Sequence, residues 1–335
     1  MLQPLVSVVL PVYNAELFLA KAINSILQQT YITFEFIIIN DGSTDGSERI
    51  ILSFNDSRIR YIKNETNLKL IATLNKGITL AQGAYIARMD ADDEAHPNRL
   101  HQQVAYMQTN PNVGALGTYA KRIDVRTGKV TNWKFPTTHQ AMVCRMFWGS
   151  TIIHPTAIIR AEALAHLNFK EDYLHAEDYK LWKDIAQSYQ LANLPEFLLN
   201  YTQHAGQITT TQQQGMNATC FKINEEWLAQ LNAPLPKELV HLYQKFLTYD
   251  FSNWNNNDIV QLINFAATIH QQNNLLHVFD TDLFAQQLAE RVYFLVFNTA
   301  SSSNKGLAYY KASVFNKILP LKLNDSIKYY YKRLL

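Results

Sequence analysis

Four carboxylates crowd into five positions at Asp90-Ala91-Asp92-Asp93-Glu94, directly after the apolar run Ala84-Tyr85-Ile86-Ala87. Ionised carboxylates so close together repel, and burying them unpaired raises their pKa until one takes a proton. A divalent cation removes the conflict. An Asp-x-Asp pair at a strand end can turn Asp90 and Asp92 toward one crevice as hard oxygen ligands for Mg²⁺ or Mn²⁺, leaving positions for substrate phosphates. The same residues also fit a solvated acidic turn ahead of a helix opening at Pro97. A second acidic pair, Glu177-Asp178, opens the helical pattern that contains Trp182, where first-turn helix chemistry accounts for acids equally well.

The elements that would position these groups follow from periodicity. Val6–Leu10, Phe34–Ile39, Arg58–Ile62, Ala84–Met89 and Val113–Gly117 are short apolar runs rich in β-branched residues. Helical patterns stand between them at about 19–27, 45–54, 70–80 and 97–108. This alternation predicts an α/β sandwich with parallel strands covered on both faces. Ligands of such sheets sit beyond the carboxyl ends of the strands. Three polar stretches fall there: Pro11–Asn14, Asn40–Ser47 and Asp90–Asp93. Asp41 can accept a donor from a base or ribose, and Gly42 allows a tight turn. The stretch has neither a phosphate-loop lysine nor a Gly-x-Gly-x-x-Gly fingerprint, so neither ATP hydrolysis nor dinucleotide binding is favoured. Residues 119–135 read as a hairpin, 139–147 as a helix, 150–160 as a loop returning to a strand, and 189–201 as one or two further strands. After about 210, helical patterns dominate, which divides the chain into an α/β part, 1–210, and a helical part, 211–335.

The 335 residues are 47% apolar and 17% charged, ordinary for a folded globular chain, and the net charge of +2 gives no reason to invoke nucleic acid. Cys144 and Cys220 are too few for a disulfide framework and fit buried small residues in a reducing compartment. With no basic region ahead of the first apolar run and no stretch of eighteen apolar residues, the expectation is a cytoplasmic protein. The last 35 residues carry seven basic side chains against one acid, interleaved with Tyr309, Tyr310, Phe315 and Tyr329–Tyr331. Such a segment fits peripheral contact with the inner membrane surface through charge and shallow ring insertion, and equally a docked helix with solvated lysines. No feature of the sequence fixes an oligomeric state.

Taken together, Pro11-Val12-Tyr13-Asn14, Asp41-Gly42-Ser43-Thr44-Asp45, Asp90-Ala91-Asp92-Asp93 and Glu177-Asp178-Tyr179-x-x-Trp182 resemble the ordered motifs of family 2 glycosyltransferases, over roughly residues 5–210. Within the family the chain looks most like bacterial enzymes of lipopolysaccharide and capsule synthesis, including the segment Tyr201, His204, Gln207 and Thr209. The resemblance implies an inverting enzyme with the GT-A fold: a mostly parallel central sheet flanked by helices, here with a helical C-terminal extension. It implies a nucleoside diphosphate sugar donor, commonly a UDP-sugar, a saccharide or lipid-linked saccharide acceptor, and Mn²⁺ or Mg²⁺.

Carried over by position, Asp41 matches the base-binding aspartate, with Pro11, Tyr13 and Asn14 beside the donor. Asn40 stands where the family often has a second aspartate. Asp90 and Ala91 match the donor side of the metal motif, Asp92 its direct metal ligand, and Asp93 a supporting group. Asn67-Leu68-Lys69 occupies a loop whose third place is frequently glycine, so Lys69 alters that loop or approaches the diphosphate. Asp178 matches the catalytic base and Glu177 its neighbour. His154 matches a loop near the donor, and His204 a histidine available to diphosphate or metal; an imidazole satisfied by one backbone partner fits both positions as well. Trp133, Trp148 and Trp182 are candidates for stacking on sugars or for packing. Two other readings compete: a sugar nucleotidyltransferase, against which the first loop lacks a glycine-rich basic sequence, and an inactive carbohydrate-binding or scaffolding module.

Overall fold

The structure, a computed structural model, describes residues 3–205, 212–299 and 305–321. The chain forms two compact units, Met1–Met142 with Ser150–Met216, and Val143–Gly149 with Asn217–Leu335. In the first, β1 (Val6–Val12), β2 (Phe34–Asn40), β3 (Ile59–Lys63) and β4 (Tyr85–Arg88) make a parallel block in the order β3-β2-β1-β4. Helices α1 (Leu19–Leu27), α2 (Ser47–Leu52) and α3 (Leu70–Leu80) connect consecutive strands. Strands buried on both faces need apolar side chains in both directions. Val8 and Leu10 join the core that holds Leu19, Ile23 and Ile26 of α1, whereas Val9 and Ile39 meet α3 at Gly77.

Beyond β4 the sheet is mixed. β5 (Glu94–Ala95) and α4 (Arg99–Thr109) follow, then β6 (Val113–Asp124), β7 (Val130–Trp133), α5 (His139–Met146), β8 (Ile158–Arg160), α6 (Glu177–Ile185) and β9 (Gln190–Gln203). Their order is β4-β8-β6-β9-β5, with β7 paired to β6. The fifth run of the sequence extends past Gly117 to Asp124, so the 119–135 excursion is a hairpin continuing that strand. β5, within the acidic stretch, has no apolar run to announce it.

Strand direction decides what reaches the site. β8 is antiparallel to β4, and Ile158 pairs with Ala87, so the turn at His154–Thr156 lies beside the end of β4. β9 is antiparallel to β5, and Asn200 pairs with Glu94, so its last residues run back past the acidic turn.

In the second unit, α7 (Gln213–Gln230), α8 (Val240–Leu247), α9 (Asn256–Leu276), α10 (Thr281–Asn298), α11 (Lys305–Ala312) and α12 (Phe315–Ile318) pack apolar stripes together, among them Leu262, Ile263 and Ile269 with Leu288, Val292 and Leu295. A capping box of Asn255 and Asp258 starts α9, and Asp280 caps α10. Trp148 is packed here against Phe147, Phe246 and the buried Arg291, which answers its candidacy as a sugar platform with ordinary packing. Tyr310 and Phe315 are fully buried, so they are interior rings and not membrane-facing ones, while Tyr329–Tyr331 and most of the basic tail lie outside the described residues. Cys144 is buried and Cys220 half-buried. Among the described residues, no helix is long and apolar enough to cross a membrane.

A Cβ at Gly77 would overlap a Val9 methyl and stand 3.3 Å from Ile39 Cδ1. Overpacking costs ~1–3 kcal/mol, more than the ~1 kcal/mol that alanine gains in a helix. Gly77→Ala is therefore expected to lower the melting temperature by several degrees in a thermal-unfolding measurement.

Candidate active site

The loops after β1 and β2 are stitched together by side chains whose small size suits turns. Asn14, at φ 49°, accepts from the Thr44 N–H (2.8 Å) and donates its own N–H to Ser43 Oγ (3.1 Å). Ala15 N–H donates to Ser47 Oγ and Glu16 N–H to Asp45 Oδ2. Pro11 remains in β1 opposite Ile39, and Tyr13 is half exposed at the mouth of the loop. Asn40 is buried and structural: its Oδ1 accepts from Ser43 N–H (2.9 Å) and its amide reaches Tyr61 Oη.

Asp41 is also buried, at 3% exposure, and it organises the loop that follows β3. Its Oδ1 accepts from Asn64 Nδ2 (2.7 Å) and Leu68 N–H (2.8 Å), and its Oδ2 from Lys69 N–H (2.9 Å). A carboxylate offers about four acceptor positions, so one remains on Oδ2. Lys69 has φ 74° and ψ 165°, a conformation natural only to glycine, with its side chain exposed. Asn67 Oδ1 accepts from the same Lys69 N–H.

The carboxylate oxygens of Asp90, Asp92 and Asp93 lie within 4.8 Å of one another, with Ala91 between the first two. His204 Nε2 stands 3.0 Å from Asp92 Oδ2, and its ring stacks on Phe18 at 4.9 Å, which ties the first loop to the acidic turn. Gln207 and Thr209 lie outside the described residues. Asp93 is buried: Oδ1 accepts from Thr202 N–H (2.8 Å), and Oδ2 has no hydrogen-bond partner. Burial, with the neighbouring carboxylates, pushes Asp93 far above the usual carboxylate range, and burial raises Asp90 too. Hard oxygen donors, an orphaned buried oxygen and a nearby imidazole fit a divalent cation.

Glu177 and Asp178 form the first turn of α6, where four backbone N–H groups and the helix dipole favour negative charge. Burial nonetheless dominates, lifting Glu177 to about 7, with help from Asp178, and Asp178 to about 6. The charges of Arg88 and Asp90 both reach Asp178. His154 is held well below its usual pKa by burial and by Arg88, and its Nε2 is buried without a partner. Its ring contacts Phe169 and, at 6.0 Å, Trp182, one turn along α6 from Asp178. Trp182 is completely buried and Trp133 packs on Phe135 and Tyr201, so Trp182 is a core residue and not a sugar platform.

The structure thus gathers Asp90, Asp92, His204, His154, Glu177 and Asp178 around the end of β4, with Asn14, Asp41, Asn67 and Lys69 at the ends of β1 to β3. Two arginines escaped the sequence reading. Arg88 ends β4 buried and ion-paired with Asp90, and Arg99, fully buried in α4, donates to the carbonyls of Arg88 (2.8 Å) and Ala157 (3.3 Å). Burial brings Arg99 down to about 9 against the pull of Asp93 and Asp90. The available signal was an arginine directly after an apolar run and before an acidic one.

The mixed sheet thus carries an acidic turn and a separate carboxylate pair, and its fold and sequence can be set beside those of known proteins. The family description "Glycosyl transferase family 2" matches residues 7–167. An uncharacterized glycosyltransferase of Haemophilus influenzae is 38% identical over 237 residues, covering 67% of this chain and 73% of the relative. The Escherichia coli protein WfgD, named as a UDP-Glc:alpha-D-GlcNAc-diphosphoundecaprenol beta-1,3-glucosyltransferase, is 30% identical over 181 residues, 54% of this chain and 69% of its own. In fold, the chain is similar to S. aureus TarS 1-349, solved in complex with UDP-GlcNAc, with a TM-score of 0.58 at 18% identity over 91% of this chain and 89% of that one. The chain belongs to glycosyl transferase family 2.

A Cβ on Gly42, at φ 70°, would stand 2.8 Å from the Thr66 carbonyl carbon and 2.9 Å from Asn67 N. Gly42→Ala should lower the melting temperature, whereas Lys69→Gly should raise it by relieving strain of about 1–3 kcal/mol; both are read by thermal unfolding. Glu177 supplies a pH test. Its folded pKa lies above its unfolded value, so ionising it destabilises the native state progressively from about pH 4.5 to 7 and fully above that. Glu177→Gln should then raise the melting temperature at pH 8, with the gain shrinking toward pH 5.

Proposed function

We propose that this enzyme transfers a sugar from a nucleoside diphosphate sugar, of the uridine type, to a hydroxyl of a saccharide or lipid-linked saccharide, with inversion at the anomeric carbon. The observation that carries this reading is the meeting of the Asp90–Asp93 turn and the Glu177–Asp178 pair at the end of one strand, within electrostatic reach of each other. The name of WfgD supports a UDP-sugar donor and a lipid-diphosphate-linked acceptor.

Asp178 accepts the acceptor hydroxyl's proton as the new bond to the anomeric carbon forms and the bond to the diphosphate oxygen breaks. A carboxylate with a pKa near 6 is largely ionised at neutral pH yet a better proton acceptor than an exposed one. Glu177 sets the position and charge of that base. Asp41 receives the ring N–H of the nucleotide base at its remaining Oδ2 position. The loops at Asn14 and Asn67–Lys69 wall the nucleotide, while His154 offers its unpartnered Nε2 to the donor. Asp92, Asp90, Asp93 and His204 would hold Mn²⁺ or Mg²⁺, which when bound supplies positive charge for the departing diphosphate. A cytoplasmic site of action, at the inner membrane surface where the acceptor is lipid-linked, completes the reading.

The test is a screen of UDP-, GDP- and dTDP-sugars with Mn²⁺ or Mg²⁺, following nucleotide release with and without membrane glycolipid extract. Release of UDP that chelator abolishes and added metal restores is expected. Asp92→Ala and Asp178→Asn should each lower kcat by about 100-fold or more. Turnover with guanosine donors alone would overturn the role of Asp41. Because the base must be ionised, kcat should climb with pH through about 6 to 7 and level above 8; a profile flat from pH 5 would remove Asp178 from the mechanism.

A further inference from the structure

Asp41 is held by a chain of side chains that ends in a lysine. Asn64, the first residue after β3 and itself buried, donates through Nδ2 to Asp41 Oδ1 (2.7 Å) and to Thr73 Oγ1 (3.3 Å), and its backbone N–H donates to Asn40 O (2.8 Å). Its Oδ1 accepts from Lys76 Nζ at 2.6 Å. Helical spacing brings the lysine there. Thr73 and Lys76, three positions apart on α3, share one face, and the helix begins just after Lys69, whose N–H donates to Asp41 Oδ2. Gly77 turns the adjoining face toward Val9 and Ile39 of the sheet, and Lys76 stays half-buried.

Each member of this chain dictates the next. An ammonium only donates, so the Asn64 amide presents its oxygen to Lys76 and its NH₂ to the carboxylate. Asp41 Oδ1 then takes Asn64 and the Leu68 N–H, Oδ2 takes the Lys69 N–H, and the acceptor position left on Oδ2 has a fixed direction. Without the lysine, the oxygen of an amide that is only 3% exposed loses its donor, which is costly. The amide must then shift or turn over. Turning sets its oxygen against the Asp41 carboxylate, acceptor against acceptor, and the carboxylate moves in both cases.

We propose that Lys76 is a positioning residue for base recognition: through Asn64 it aims the Asp41 carboxylate, and so sets the preference for a nucleotide whose base donates a ring N–H, as uracil does, over one that presents a ring acceptor there, as cytosine does. This assignment rests on the transfer reading given above, in which Asp41 receives the base. UDP and CDP share the ribose and the diphosphate and differ in whether that ring nitrogen donates or accepts. The ratio of their affinities therefore isolates the carboxylate, because a site built to receive a donor rejects the analogue that lacks it.

The experiment is calorimetric titration of the full chain with UDP and with CDP, both in the presence of Mg²⁺, and needs no turnover. The wild type is expected to bind UDP at least about tenfold more tightly than CDP. In Lys76→Met, which keeps side-chain length and helix propensity, UDP affinity should fall about tenfold while CDP affinity holds, so that the ratio collapses. Lys76→Ala removes the same donor without adding bulk and should show the same collapse; it decides the matter if Lys76→Met does not fold. Circular dichroism and thermal unfolding check the fold of each variant. A lysine that merely stabilises α3 would weaken both nucleotides alike or neither, so an unchanged ratio in a folded variant overturns the proposal. If the wild type binds UDP and CDP equally, or binds neither, the uridine reading of Asp41 fails and the assignment to Lys76 falls with it. A discriminating wild type beside an equally discriminating variant removes the assignment to Lys76 alone, so the two failures are told apart.

Discussion

Five carboxylates, Asp90, Asp92, Asp93, Glu177 and Asp178, converge where one buried strand ends, and two buried arginines oppose them. Much of the first unit's architecture can be understood as the support of that charge imbalance. Burial raises the proton affinity of four of the five, because each anion there has lost the water that would solvate it. Arg99 reaches Asp93 and Asp90 from α4, and its bonds to Arg88 O and Ala157 O clamp β4 to the start of β8. Thr202 and His204 arrive from β9 to engage Asp93 and Asp92. Such an arrangement persists only where surrounding packing holds it, and the strands beneath it are apolar on both faces.

Direction of the strands turns this packing into a site. In a wholly parallel sheet only loops following strands reach the carboxyl edge, and the segments leading into the next strand lie opposite. β8, reversed against β4, brings a leading segment to that edge, and with it His154. β9 runs parallel to β6 and antiparallel to β5, so its terminal residues return along the acidic turn instead of leaving it. The stacking of Phe18 on His204 then ties the loop after β1 to the acidic turn.

The strands and helices of the parallel block were legible because each is a continuous apolar run or a one-sided stripe bounded by Gly, Pro, Asn or Asp. That Asp90 and Asp92 share a crevice also follows from their spacing. What remained hidden depends on long-range pairing. β8 has three residues, too few for periodicity to fix a direction, and β5 has two. The contact of His204 with Asp92 spans 112 residues, and only the family resemblance put the two at one site beforehand. The positive φ of Lys69 was not legible either, since lysine itself argues against such a backbone. Tyr310 and Phe315 show the limit of composition: a basic, aromatic segment fits a membrane surface and a docked helix equally, and only packing shows that these two rings are interior.

The two carboxyls at the start of α6 divide labour through their surroundings. Placed alone at a helix N-terminus, both would sit below their usual pKa, because the dipole and free N–H groups favour the anion. Both sit above it, so desolvation outweighs the helix at each position. Backbone N–H groups and Arg88 favour the anion at both carboxyls, and the charge of Asp178 adds to the burial that raises Glu177. Ionising both carboxyls would set two like charges side by side where burial withholds water. A proton held by either member lowers that repulsion, so the two carboxyls titrate as a pair and not as separate groups.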